Sequence, residues 1–132
     1  MAFIFANPNP SCNLTGDCVI RAVSILTDQD WEKTYLDICI QGLLMHDMPS
    51  SNSVWSAYLH DKGFDRGAIP DMCPECYTIR EFAHDNPNGK YLVATGTHVV
   101  SIIDGNYYDT WDSGDEIPIQ SMYREDVASM FQ

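Results

Sequence analysis

The run His98-Val99-Val100-Ser101-Ile102-Ile103-Asp104-Gly105-Asn106-Tyr107-Tyr108-Asp109-Thr110-Trp111 decides the architecture of this chain. An apolar, β-branched segment leads into Asp104-Gly105, the dipeptide that suits a type I′ turn because both central residues must take positive φ, and the chain then returns through Asn106 to Trp111. A two-residue loop fixes register: Ile103 pairs with Asn106 and, counting back, His98 with Trp111. Opposed residues share a face, so His98, Val100 and Ile102 lie on the same side as Trp111, Asp109 and Tyr107. Asp109 becomes the diagonal neighbour of His98, with α-carbons about 7–8 Å apart. Asp112 falls on the opposite face and Asp104 lies about 20 Å along the strand. Asp109 is therefore the aspartate placed to hold the imidazole.

Outward from this hairpin, Lys90 to Thr95 reads as another apolar strand and Ile117 to Tyr123 as a fourth. Upstream the periodicity is helical. The Gly16 turn with Asp17 as N-cap opens a helix to about Thr27, whose buried stripe is Val19, Ile20, Val23 and Leu26. A second helix starts near Asp28 or Asp30 and runs to His46 on Trp31, Tyr35, Ile38, Leu43 and Leu44. A third carries Val54, Trp55, Tyr58 and Leu59 and stops at Gly63, and a fourth spans about Thr78 to His84. Helices first and a meander afterwards predict an α+β protein, with N-terminal helices packed on a C-terminal antiparallel β-sheet. At 132 residues the chain reads as one domain, 1–132, able to bury about two thirds of its unfolded surface.

Seven basic against nineteen acidic side chains give a net charge of −12, which opposes the phosphate neutralisation that binding to nucleic acid requires. No stretch approaches the roughly 18 apolar residues of a membrane span. Five cysteines and an N-terminus without a basic, apolar signal segment predict reduced thiols in a cytoplasmic protein. Cys73-Pro74-Glu75-Cys76 has the spacing of half a zinc site but lacks a second half, so a turn entering the fourth helix is the preferred reading. No metal and no cofactor is called for.

Cys18 is the residue that carries chemistry. Backbone N–H groups at a helix start lack partners within the helix, and the peptide dipoles concentrate positive charge there, so thiolate is favoured over thiol. Arg21, three residues on, adds to this effect, whereas Asp17 opposes it with a like charge. His98 supplies a base, and Asp109 would fix its tautomer and stabilise the imidazolium. The N–H of Cys18 offers one donor for an oxyanion, with the side-chain amide of Asn13, or less favourably Asn9, as the second. Tyr107 and Trp111 are candidates to line a substrate groove.

Cysteine at a helix start, histidine opening a strand and aspartate on the next strand, in that order, resemble the papain-like cysteine peptidase superfamily in its compact bacterial form. The Asp-Cys pair and the histidine-strand-aspartate run are similar to leader peptidases that trim double-glycine bacteriocin precursors and, more distantly, to cell-wall endopeptidases. The Gly-Asp-Cys-Val-Ile-Arg-Ala and Tyr-Asp-Thr-Trp-Asp-Ser-Gly-Asp-Glu strings also resemble small uncharacterised proteins of bacteria and their prophages. The resemblance implies a papain-like fold and a peptidase or amidase acting on a peptide or protein, with Cys18 as nucleophile, His98 as base and then acid, and Asp109 as orienter. Where the superfamily usually has glutamine, six residues before the nucleophile, this chain has Cys12. The rival expectation is a non-catalytic acidic interaction or inhibitor protein of phage or prophage origin on the same fold, whose charge occupies a partner's nucleic-acid site.

Overall fold

The computed structural model describes residues 2–70 and 76–124. In chain order these form β1 (Ala2–Phe5), α1 (Cys18–Thr27), α2 (Trp31–Met45), α3 (Asn52–Asp61), β2 (Asp65–Gly67), α4 (Ile79–Asp85), β3 (Lys90–Ala94), β4 (Val99–Ile103), β5 (Asn106–Asp109) and β6 (Gln120–Arg124). The class is α+β, with four helices on a six-stranded sheet of order β1-β5-β4-β3-β6-β2 among the described residues.

The β4–β5 hairpin has the register that its turn dictates: Ile103 pairs with Asn106, Ile102 with Tyr107 and Ser101 with Tyr108. Asp104 and Gly105 both take positive φ, 50° and 79°. Asp104 further ties the turn to the preceding segment, its carboxylate accepting from the Gly89 N–H at 3.0 Å.

The sheet is mixed rather than antiparallel, because β1 runs parallel to β5 with Phe3 opposite Tyr107. Only four residues long and without polar alternation, β1 carries no strand signal of its own. It covers the main-chain groups that β5 would otherwise present as an open edge. At the other side the three-residue β2 pairs with β6, and Gly67 packs closely there: a Cβ would stand 2.7 Å from Ser121 Oγ, which would have to move.

Alternation along the strands divides the core in two. Leu92, Ala94 and Val99 face α1, α2 and α3 in one cluster with Val23, Leu26, Ile38 and Trp55. Val93, Val100 and Ile102 face the other way, packing with Ile79 and Phe82 of α4. Helices thus cover both faces of the sheet, not one. The α1 boundaries and its buried stripe match the sequence reading, and a left-handed Asp28, φ 52°, ends the helix.

For α2 the buried face differs from expectation. Asp30 caps it by accepting from the Lys33 N–H at 2.7 Å, yet the inward line is Thr34, Ile38 and Gly42, and Leu43 and Leu44 are each 72% exposed. Gly42 explains the rotation, since the chain folds back over it and a Cβ would lie 2.8 Å from the Asp47 carbonyl oxygen. Among the described residues no helix is long and apolar enough to cross a membrane.

Candidate active site

Because β4 and β5 are antiparallel, the residue before β4 and the last residue of β5 lie at the same end of the sheet. Those residues are His98 and Asp109. His98 Nε2 and Asp109 Oδ2 are 2.6 Å apart. The β3–β4 turn fixes the histidine backbone: Thr95 Oγ1 accepts from the His98 N–H at 3.0 Å, and the Thr95 N–H donates to the His98 carbonyl at 2.8 Å.

Asp109 is buried and fully engaged. Its Oδ2 also accepts from the Ser113 hydroxyl at 2.7 Å, its Oδ1 accepts from the Thr110 N–H at 2.7 Å, and Arg21 Nη2 lies 3.6 Å from Oδ1. Burial alone would push this carboxyl up, but the hydrogen bonds from His98 and Ser113 and the imidazole charge hold it below its usual range.

Cys18, the first residue of α1, meets the same histidine. Nε2 is taken by Asp109, and Cys18 and His98 line the same two hollows. Burial pushes the Cys18 thiol up; the hydrogen bond with His98, a bond from the Val99 N–H and the positive charges of His98 and Arg21 outweigh it, so the thiol titrates below its ordinary value. Burial pushes His98 down, but Asp109 and Cys18 together raise it to about 9. Both shifts run in the direction that favours a thiolate–imidazolium pair.

Asp17 occupies the N-cap position without capping α1. Its carboxylate pairs with Arg21, while Oδ2 accepts from Trp31 Nε1 at 2.9 Å and from Asn9 Nδ2 at 3.4 Å. The like charge next to the thiol is therefore balanced by the Arg21 guanidinium. Asn9, the second oxyanion candidate, is committed to this loop, its Oδ1 also accepting from the Ser11 N–H at 2.9 Å. Asn13 is exposed, and its carbonyl accepts from Asn7 Nδ2 at 3.5 Å; it is not among the residues lining the cleft. The expected side-chain donor from this loop is thus not among the residues lining the two hollows.

Gly16, Cys18, Thr97 and His98 form the divide between two hollows. One, of about 490 Å³, continues past Leu14, Thr15 and Trp111; the other, of about 310 Å³, past Ser50, Asn52, Trp55 and Gly96. Trp111 is half-exposed and its ring lies 5.3 Å from the His98 ring at 32°. Tyr107 does not reach the cleft. Although it alternates onto the same side of β5 as Asp109, its ring is only 2% exposed, is packed with the α4 core, and donates its hydroxyl to Asp112 at 2.6 Å. Sequence reasoning passed over Thr95 and the Val99 N–H, neither of which stands in a recognisable motif.

Cys73 lies outside the described residues. Cys12, Cys18, Cys39 and Cys76 are free thiols, and among the described residues no group of three or more His, Cys, Asp or Glu side chains is arranged to hold a metal. No family model, curated protein or solved structure matches this chain.

Proposed function

We propose that this protein is a thiol-dependent hydrolase of papain-like architecture, a cysteine peptidase or amidase acting on a peptide or protein in the cytoplasm. The observation that carries the reading is the convergence of Cys18, His98 and Asp109 from three elements onto the wall between two open hollows.

In this reading the Cys18 thiolate attacks the carbonyl carbon of an amide, and the developing oxyanion accepts from the Cys18 N–H at the α1 start. His98, protonated at rest, gives its proton to the departing amine as the carbon–nitrogen bond breaks and a thioester forms. Neutral His98 then takes a proton from water, whose oxygen attacks the thioester; the acid leaves and the thiolate–imidazolium pair returns. Asp109 holds the ring throughout. One hollow receives the acyl portion of the substrate and the other the leaving portion.

The experiment is alkylation of each cysteine as a function of pH, followed by peptide mapping. Selective labelling of Cys18 below about pH 7.5, lost in His98→Ala, is the expected result. Labelling of Cys18 no faster than that of exposed Cys12 and Cys76, with an apparent pKa near 8.5, overturns the reading in favour of the acidic binding protein.

A further inference from the structure

Two charges sit out of water directly beneath the reactive pair: Asp17 is 8% exposed and Arg21 7%. Buried charges are costly unless each finds its opposite. Here the partners form a chain. Asp17 pairs with Arg21, Arg21 Nη2 stands 3.6 Å from Asp109 Oδ1, Asp109 Oδ2 is 2.6 Å from His98 Nε2, and His98 faces Cys18. With the thiolate–imidazolium pair of the hydrolase reading, the signs alternate from carboxylate to thiolate. Arg21 Nη1 also lies 3.4 Å from the Thr15 carbonyl, so the same side chain holds the segment that leads into Cys18.

Resting on the hydrolase reading above, we propose that Arg21 is a positioning residue, bridging Asp17 to Asp109, and that Arg21 and Asp17 act as opposed controls on the charge reaching the Cys18–His98 pair. The Arg21 guanidinium is held by Asp17, the Thr15 carbonyl and Asp109, and the side chain lines the larger hollow beside the pair. Its positive field favours the thiolate, the Asp17 field disfavours it, and because the two groups are paired each opposes the other at the sulfur. Among the described residues, the other elements around the pair contribute Asp109 and His98 from the sheet and the neutral Asn52, Trp55, Thr95 and Thr97 from α3 and the β3–β4 turn. From α2, Trp31 holds Asp17, and the titratable Tyr35 and Cys39 line the adjoining hollow beyond Gly16. The Asp17–Arg21 pair is thus the one charge balance on the helix itself that can tune the nucleophile.

Opposed controls make a signature that a merely structural ion pair does not. Cys18 alkylation against pH and the ring titration of His98 by NMR are to be followed in Asp17→Asn, Arg21→Gln, Arg21→Lys and the double variant D17N/R21Q. Removing Asp17 leaves Arg21 unopposed, so the thiolate titration falls by about one pH unit; removing Arg21 raises it by a similar amount. His98 moves in the same direction as Cys18 in each, the double variant returns close to the unaltered protein, and Arg21→Lys, which keeps the charge, leaves both titrations in place. Shifts of the same sign in both single variants, or none in either, overturn the inference. If Arg21→Gln fails to fold, Asp17→Asn decides alone: a fall supports the proposal, and no change or a rise ends it. The failure of the hydrolase reading would look different, because Cys18 would then label like Cys12 in the unaltered protein.

Discussion

His98 Nε2 and Asp109 Oδ2 stand 2.6 Å apart across the end of a hairpin whose turn lies at Asp104 and Gly105, six residues from one and four from the other. The separation follows from pairing geometry set at the turn and carried along two strands to the helix start. Asp109→Asn keeps the shape of the side chain and removes the charge that stabilises the imidazolium. Hydrolysis should fall by about 10²–10⁴ in kcat/KM, within the range of a lost acid–base contribution. Asp109 raises His98, so its loss should move the alkaline limb of the pH–rate profile down from about 9. A profile unchanged in D109N counts against the triad.

The same shifts set a pH dependence of stability. A histidine whose folded pKa is raised to about 9 contributes stability that is full below its unfolded value of about 6.5 and is lost as pH rises through 9. Asp109, held low, contributes above its unfolded value of about 3.9 and loses that contribution as pH falls through its folded pKa. Thermal melts of the unaltered protein and His98→Gln should therefore converge between about pH 6.5 and 9. A stability gap that widens over that window would contradict the folded-state charge assigned to His98.

Ser113 donates to the same Asp109 oxygen as His98 does, at 2.7 Å, and is itself buried. Ser113→Ala removes one charge-assisted bond. The expected cost is about 1.5–3 kcal/mol of stability in a denaturant titration, with a smaller loss of kcat/KM than in D109N because the His98 contact remains. Equal losses in the two variants would mean that Ser113, not the carboxylate charge, fixes the ring.

The hairpin and α1 were legible because both are written locally: a dipeptide that demands positive φ, and a turn followed by a helical apolar stripe. What lay beyond sequence reasoning depends on distant partners. The parallel pairing of β1 joins Phe3 to Tyr107, more than a hundred residues away, with no local signal. The role of Asp17 as an ion-pair member rather than a cap depends on Trp31 and Asn9 as well as on Arg21. Alternation put Tyr107 on the correct side of β5, but it does not encode that α4 covers that position, so a ring expected in the groove is a core residue. In α2 the apolar count pointed to Leu43 and Leu44, whereas the close approach at Gly42 set the rotation of the helix.

That rotation separates two kinds of leucine-like residue on one helix. Ile38 is fully buried, so Ile38→Ala should cost about 2–5 kcal/mol, as cavity-forming core substitutions do. Leu43→Lys and Leu44→Lys, at exposed positions, should each stay within about 0.5 kcal/mol of the unaltered protein. Denaturant midpoints rank the three variants directly. A large loss from either lysine would restore the helical face expected from periodicity.

Gly16 and Gly96 test the cleft without disturbing the machinery. Each lines a hollow beside Cys18 and His98, neither has φ in the left-handed range, and a Cβ added at either meets no atom within 4 Å. The fold therefore places no steric demand for glycine at these two positions, in contrast to Gly42 and Gly67, where an added methyl strikes a neighbour. Gly16→Leu and Gly96→Leu should leave the melting temperature nearly unchanged, since surface substitutions away from special contacts stay within about 0.5 kcal/mol. Alkylation of Cys18 by a small reagent such as iodoacetamide should keep its pH profile, because no charged group moves. Turnover of a peptide substrate should fall mainly through KM, as the leucine side chain fills space that an extended chain would occupy. If both variants fold, alkylate and turn over substrate like the unaltered protein, the substrate does not cross the divide between the two hollows.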